Sequence, residues 1–199
     1  MKKIEEMKKP DEKRVIFLKG KKVVLRPLCK ETDLDSIYRW INDPEVNKYV
    51  EGYLPMTKEA EAEWIEKVSK NKDIILAIET FGGRHIGSMG LHNIKWKDRI
   101  ATTGAMIGEK DCWGKGYGTD AKMILLNYAF NTLNLRKIFS SVFSFNKRSI
   151  AYSLKCGYEV EGLLKRQRFV NGRYYDEVLL GVFKKKWQSL WREYKKGIK

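Results

Sequence analysis

Residues 107–119, Ile-Gly-Glu-Lys-Asp-Cys-Trp-Gly-Lys-Gly-Tyr-Gly-Thr, alternate Gly114, Gly116 and Gly118 with Lys115 and Tyr117. Glycine lets a backbone take positive φ and approach a ligand closely. Amide N–H groups in such a turn can point inward, and a helix that follows favours negative charge at its start. The stretch is therefore a candidate phosphate cradle, with Lys115 as a mobile positive charge. Two familiar phosphate loops do not fit it. There is no Gly-Lys-Ser/Thr, and Gly-x-Gly-x-Gly is not the Gly-x-Gly-x-x-Gly of a dinucleotide site. A tight strand-to-helix connection without a ligand would explain the glycines equally well.

His85 and His92 are the other residues whose type suggests chemistry. Seven residues apart on one regular strand, they would point to opposite faces, which excludes a shared metal. Either alone is a candidate base. Glu59, Glu63 and Glu66 share a helix face that reads as solvated.

A strand must enter the glycine stretch and a helix must leave it. Residues 101–107 read as that strand, and 120–133 as an amphipathic helix burying Ala121, Ile124, Leu125, Tyr128 and Ala129. Upstream, residues 15–18 and 23–26 form short strands, 33–41 has helical spacing, and Pro44 opens a helical turn through Tyr49. Thr57 is the expected N-cap of a helix to about residue 70 that buries Ala60, Trp64, Ile65 and Val68. Residues 74–79 and 84–93 are strands joined by a Phe-Gly-Gly turn. Downstream come a strand at 137–143, a helix from Asn146 to about Lys155, and strands at 158–168 and 173–183 around Asn171-Gly172. Residues 186–196 form a last helix.

At 199 residues and 43% apolar content the chain can bury one core. No apolar run approaches the ~18 residues of a membrane helix, and the start lacks a signal peptide's apolar core. Three cysteines without ligand spacing fit reduced thiols in a cytoplasmic protein. The net charge of +15 lies mostly at the ends. Residues 1–22 carry nine Lys/Arg against four Asp/Glu, and residues 184–199 seven against one. Such tails read as solvated segments that could also bind an anionic partner such as RNA.

Residues 113–121, Trp-Gly-Lys-Gly-Tyr-Gly-Thr-Asp-Ala, resemble the acyl-CoA diphosphate loop of the GNAT superfamily of N-acetyltransferases. Gly116 and Gly118 take the glycine places of the Arg/Gln-x-x-Gly-x-Gly/Ala pattern, and Trp113 stands where Arg or Gln is commoner. The likeness extends to 146–162, which matches the family's Asn-x-x-Ser/Ala, Lys-x-Gly-Phe/Tyr and Glu-Gly segment. Leu25-Arg-Pro-Leu28 and Trp40-Ile-Asn-Asp-Pro-Glu-Val46 resemble the opening of the RimJ/RimL-like branch, the ribosomal-protein N-acetyltransferases and relatives.

The resemblance implies an α/β (α+β mixed) single domain over 15–186, with a twisted, mostly antiparallel sheet and helices on both faces. A basic flexible arm (1–14) and a basic C-terminal helix or tail (187–199) flank it. It implies acetyl-CoA as cosubstrate, no metal, and direct attack by a primary amine within a ternary complex. The acceptor would be a ribosomal or other protein N-terminus, a polyamine, an amino sugar or an aminoglycoside. The basic surface puts the protein N-terminus slightly ahead. A homodimer is left open, and nucleic acid enters only through the basic tails. The alternative is a catalytically weak CoA- or nucleic-acid-binding module on the same fold.

By the same resemblance, Met106 and Ile107 present backbone groups to pantetheine. Trp113, Gly114, Lys115, Gly116, Tyr117, Gly118 and Thr119 hold the diphosphate, and Asn146 bonds the pantetheine arm or caps its own helix. Lys147 and Arg148 face phosphate or solvent. Many relatives carry a catalytic Glu at the position of Thr102, and Thr is no base, so either Asp176, Glu161 or Glu177 takes the amine proton or a water chain does. Counting from Asn146, the family's proton-donating Tyr falls on Ser153. Ser153 is the preferred donor, and the adjacent Tyr152 is the alternative. Trp40, Asn42 and Glu45 fall on the acceptor side.

Overall fold

Val23, Val24 and Leu25 in one run are all buried, as are Leu76, Ala77 and Ile78, so these strands must be covered on both faces. The computed structural model describes residues 15–68 and 73–196. In chain order the strands are β1 (Leu18–Lys19), β2 (Val23–Pro27), β3 (Ile74–Thr80), β4 (His85–Lys95) and β5 (Ile100–Ile107). They continue with β6 (Lys137–Phe143), β7 (Glu159–Val170) and β8 (Arg173–Phe183). The helices are α1 (Lys30–Asn42), α2 (Pro44–Asn47), α3 (Lys58–Val68), α4 (Tyr117–Asn127), α5 (Lys147–Lys155) and α6 (Lys184–Lys195). One eight-stranded sheet has the order β1-β2-β3-β4-β5-β6-β8-β7. Every neighbouring pair is antiparallel except β5 and β6.

Two cores cover the two faces. The larger gathers α4 and Trp187 of α6, with the strands packed beneath them. The smaller gathers Ile37, Trp40, Val46 and Ile65 from α1, α2 and α3, with Met106 and Trp113 against it. The expected α/β architecture is the observed one.

Several expectations are corrected in detail. The helix after the glycine stretch begins three residues early, at Tyr117, because Gly116 adopts a left-handed φ of 84° and stops the turn there. It is not amphipathic: Asp120 through Leu126 are all buried, since the sheet, α5 and α6 surround it. Its end passes into a π turn at Tyr128–Thr132. The C-terminal segment, expected to be solvated, is docked: Trp187 is fully buried and stacks on Trp191, which stacks on Tyr194. The hairpin turn is as expected, with Asn171 and Gly172 both at positive φ. The N-terminal arm (1–14) and the end of the helix expected to reach residue 70 lie outside the described residues. No helix among the described residues is long and apolar enough to cross a membrane.

Candidate active site

The parallel pairing of β5 with β6 covers only Ile100↔Lys137, Ala101↔Ile138 and Thr102↔Phe139. Beyond it the strands diverge. At the fork side chains replace the ladder: Thr103 Oγ1 donates to the Phe139 carbonyl (3.1 Å), and Ser140 Oγ donates to the Thr103 carbonyl (3.4 Å). Past that point the β6-facing edge of β5 has no partner strand, so an extended ligand arm can lie along it. The gap opens into a cavity of about 700 Å³ lined by β5, β6, the glycine loop, α5 and the segment after α2.

The loop is shaped for an anion. Gly114 (φ 74°) and Gly116 (φ 84°) are left-handed, and a Cβ at Gly114 would meet nothing within 4 Å. Gly118 has no positive φ; it lies over Ile107, whose Cγ1 would be 3.9 Å from an added Cβ. With the loop ending in the N-terminus of α4, these residues fit a diphosphate. A second lysine also serves the loop, one that sequence reasoning missed. Lys22 Nζ donates to the Lys115 carbonyl (2.8 Å) and would be 3.3 Å from a Cβ on Gly116. Asp120 puts it there: its carboxylate accepts the N–H groups of Lys21, Lys22 and Val23 at 2.8–3.0 Å and the Tyr194 hydroxyl at 2.6 Å.

Most residues expected to hold the cosubstrate line the cavity: Met106, Ile107, Trp113, Gly114, Gly116, Tyr117, Gly118, Thr119 and Asn146. Lys115 is exposed and does not. Trp113 acts as a strut, its indole N–H donating to the Ile107 carbonyl at 2.7 Å, so that carbonyl is already engaged. Arg148 covers Trp113, its guanidinium 3.9 Å from the ring centroid. Asn146 caps α5 through Ser149 N–H (3.1 Å) while lining the cavity, so both of its expected uses are compatible.

The two donor candidates part company. Tyr152 lines the cavity, whereas Ser153 is fully buried, outside the lining, and its hydroxyl has no hydrogen-bond partner. An α-helix turns 100° per residue, and that step carries Ser153 from the cleft side, where Tyr152 lies, into the core. Behind Tyr152 lies a buried cation, Lys122 of α4, with Nζ 4.6 Å from the Tyr152 ring centroid and 4.8 Å from that of Tyr158. Burial works against this ammonium, the two phenols work for it, and the balance holds Lys122 above the ordinary lysine range, hence charged. Burial pushes the Tyr158 phenol and the Cys156 thiol each up to about 12, so both stay protonated.

The carboxylates offered as bases have other partners and do not line the cavity. Asp176 accepts Arg166 N–H (2.8 Å), Glu161 pairs with Lys137 (2.7 Å), and Glu177 takes a bidentate Arg168 (2.8 Å each). Those Arg168 hydrogen bonds hold the Glu177 carboxyl below the usual range. The acceptor-side residues Trp40, Asn42 and Glu45 also lie away from the cavity. Trp40 is core and donates to Glu109, Asn42 ties Met56 to α1, and Glu45 pairs with Lys110. In their place stand Val46, Tyr49, Val50 and Glu51. Of the acidic face on α3, Glu63 pairs with Lys67 and Glu66 with Lys30, all well exposed.

The histidines correct the regular-strand reading. A register shift at Ile78/Glu79 sets His85 opposite Glu79, and both rings fall on the α1 side of the sheet. His85 packs on Trp40, and burial pushes its imidazole below the ordinary value. His92 lines the cavity. Roughly 20 Å of strand keeps the two apart. Among the described residues no group of three His, Cys, Asp or Glu side chains is placed to hold a metal.

Residues 22–159 match the acetyltransferase (GNAT) domain family. Spermidine N(1)-acetyltransferase of Escherichia coli K12 is 29% identical over 81% of this chain and 86% of its own length. Human alpha/beta-tubulin-N-acetyltransferase 9 is 29% identical over 72% of this chain and 75% of its own. Among solved structures, Vibrio cholerae spermidine N-acetyltransferase in complex with CoA and spermine superposes with a TM-score of 0.76 at 27% identity, covering 83% of this chain and 98% of that one. With the forked sheet and glycine loop in hand, the chain belongs to the GNAT acetyltransferase family, as an N-acetyltransferase whose cosubstrate is acetyl-CoA.

Proposed function

We propose that the chain acetylates the α-amino group at a polypeptide N-terminus, in the manner of the RimJ/RimL-like branch. The observation that carries this is the charge of the cleft. Among its described lining residues the only carboxylate is Glu51, and Glu51 is ion-paired with Arg168 at 2.6 Å, while Arg148 and Lys155 add positive charge. A polyamine would bring two or more ammonium groups into this cleft, each needing a carboxylate to replace its water. An N-terminal residue brings one, which becomes neutral before it reacts. The tubulin acetyltransferase, by its name a protein-directed enzyme, supports this reading; the spermidine acetyltransferases support the polyamine one.

Bound acetyl-CoA supplies the activated acetyl thioester. The amides of residues 114–118 and the ammonium of Lys22 hold the diphosphate. The unpaired edge of β5 from Gly104 to Ile107 aligns the pantetheine arm beside the acceptor, so two reactants meet without a covalent enzyme intermediate. Tyr152 donates a proton to the departing sulfur, and the buried charge of Lys122 faces whatever negative charge then forms on the phenol oxygen. The reduced cysteines and the cosubstrate fit a cytoplasmic setting.

The test is a competition at equal concentration between an N-terminal peptide library and spermidine, read by mass spectrometry. Peptide kcat/KM is expected to exceed that of spermidine by at least tenfold. A preference for spermidine would replace this acceptor by a polyamine.

A further inference from the structure

An amine attacks a thioester only as the free base, so the transferase needs a group to take the ammonium proton. Thr102 cannot do so, and the carboxylates of β7 and β8 are engaged outside the cavity. His92 sits directly opposite Thr102 on β4, lines the same cavity, and is 32% exposed. Its Nδ1 lies 3.2 Å from Asp73 Oδ2. Asp73 is itself fixed, its Oδ1 accepting the Asn93 N–H at 3.1 Å. A register shift between His92 and Lys95, with Asn93 at φ 52°, presents that N–H. Two glycines form the floor under the ring. A Cβ on Gly104 would fall 3.1 Å from Nε2 and one on Gly90 3.2 Å from it, so either side chain would displace the imidazole.

An ionised carboxylate only accepts, so Nδ1 carries the proton toward Asp73 and Nε2 keeps its lone pair. We propose that His92 is the general base of the acetyl transfer, with Asp73 as the residue that positions it. This rests on amine acetylation in this cleft and not on which amine is used. His92 Nε2 takes one proton from the acceptor ammonium. The freed amine forms the C–N bond as the C–S bond breaks, and the sulfur keeps the bonding pair and takes the Tyr152 proton. The surplus proton on the new amide nitrogen restores Tyr152 through solvent, and His92 releases its own to water, so one proton leaves per turnover. The charged groups around His92 are Asp73 beside it and, on the rest of the cavity wall, Glu51 with its Arg168, Arg148 and Lys155.

The test measures CoA release with an N-terminal peptide and with spermidine across pH, alongside ¹⁵N NMR of the His92 ring in the acetyl-CoA complex. His92→Gln is expected to lower kcat/KM for the amine at neutral pH by about 10²-fold or more. It should leave the KM for acetyl-CoA and the acetyl-CoA thermal shift unchanged, and its deficit should shrink as pH rises. Asp73→Asn should behave alike. Asn93 N–H would keep the amide oxygen, the amide NH₂ would face Nδ1, and the imidazole would be forced into the Nε2–H form. A His92→Gln rate within twofold of wild type, with an unchanged pH profile, would remove His92 from the mechanism. If the wild-type protein released no CoA with either amine, the acceptor proposal would fail. The base would then be judged on the spectrum alone: a neutral Nδ1–H ring supports it, and an Nε2–H or charged ring overturns it.

Discussion

The cleft has two walls made of different material. The donor wall is backbone: left-handed Gly114 and Gly116, the start of α4, and the unpaired edge of β5. The proposed acceptor wall is side chains from distant segments: Tyr49 and Glu51 after α2 and His92 on β4, with Arg168 on β7 anchoring Glu51 and Asp73, behind the wall, anchoring His92. A backbone site constrains residue type locally, because positive φ and close approach both select glycine. A side-chain site constrains only where a group ends up, and many sequences satisfy that. The first wall can be read from one contiguous stretch; the second has to be assembled.

The sharpest way to break this contrast lies at Tyr152, the donor-side side chain to which the proposed mechanism assigns chemistry. Tyr152→Phe is expected to reduce kcat by about 10²-fold with acetyl-CoA affinity unchanged, measured by steady-state CoA release and calorimetry. Ser153→Ala is its control. With a buried, unpartnered hydroxyl removed, turnover should stay within twofold and the melting temperature should hold or rise. The reverse pattern would return the donor role to Ser153.

A smaller effect tests the backbone wall. Gly116→Val forces a β-branched residue into left-handed backbone, a strain of about 1–3 kcal/mol, and places a Cβ against Lys22. Acetyl-CoA should bind about 10- to 100-fold more weakly by calorimetry. Lys22→Gln should cost less, about tenfold, and equally for CoA and 3′-dephospho-CoA if the lysine serves the diphosphate. Unchanged affinity in Gly116→Val would mean that the loop is not the cradle.

The smallest effect concerns the acceptor wall's anchor, Arg168–Glu177. Arg168 holds Glu177 below its usual 4.5, so the pair adds stability above that pH and loses it as pH falls through the folded value. Glu177→Gln should flatten the fall in melting temperature between roughly pH 5 and 3. An acid limb identical to wild type would show that the pair contributes nothing there.

The fold was legible wherever pattern and burial agree: the strand periodicities, the Asn171-Gly172 turn and the N-cap Asn146 all stand as expected. It misled where a local irregularity intervened. A single register shift in β4 brought His85 and His92 to one face, which period-2 counting cannot foresee. The cavity's lining was legible through the glycines and the Asn146 segment. Lys22 was read as part of a hairpin connection because its partners lie more than 90 residues away. The resemblance puts Trp40 and Glu45 on the acceptor side, yet their side chains turn into the core and toward Lys110. Tyr152 and Ser153 could be separated only once the helix had a rotational setting.

The four hydrogen bonds gathered by Asp120 tie the β1–β2 connection and the far end of α6 to the helix that follows the glycine loop. Both extremities of the described residues are thus moored to one carboxylate beneath the proposed phosphate cradle. A C-terminal fusion or trimming that reaches Tyr194 would therefore be felt as weakened coenzyme grip, far from the cut itself.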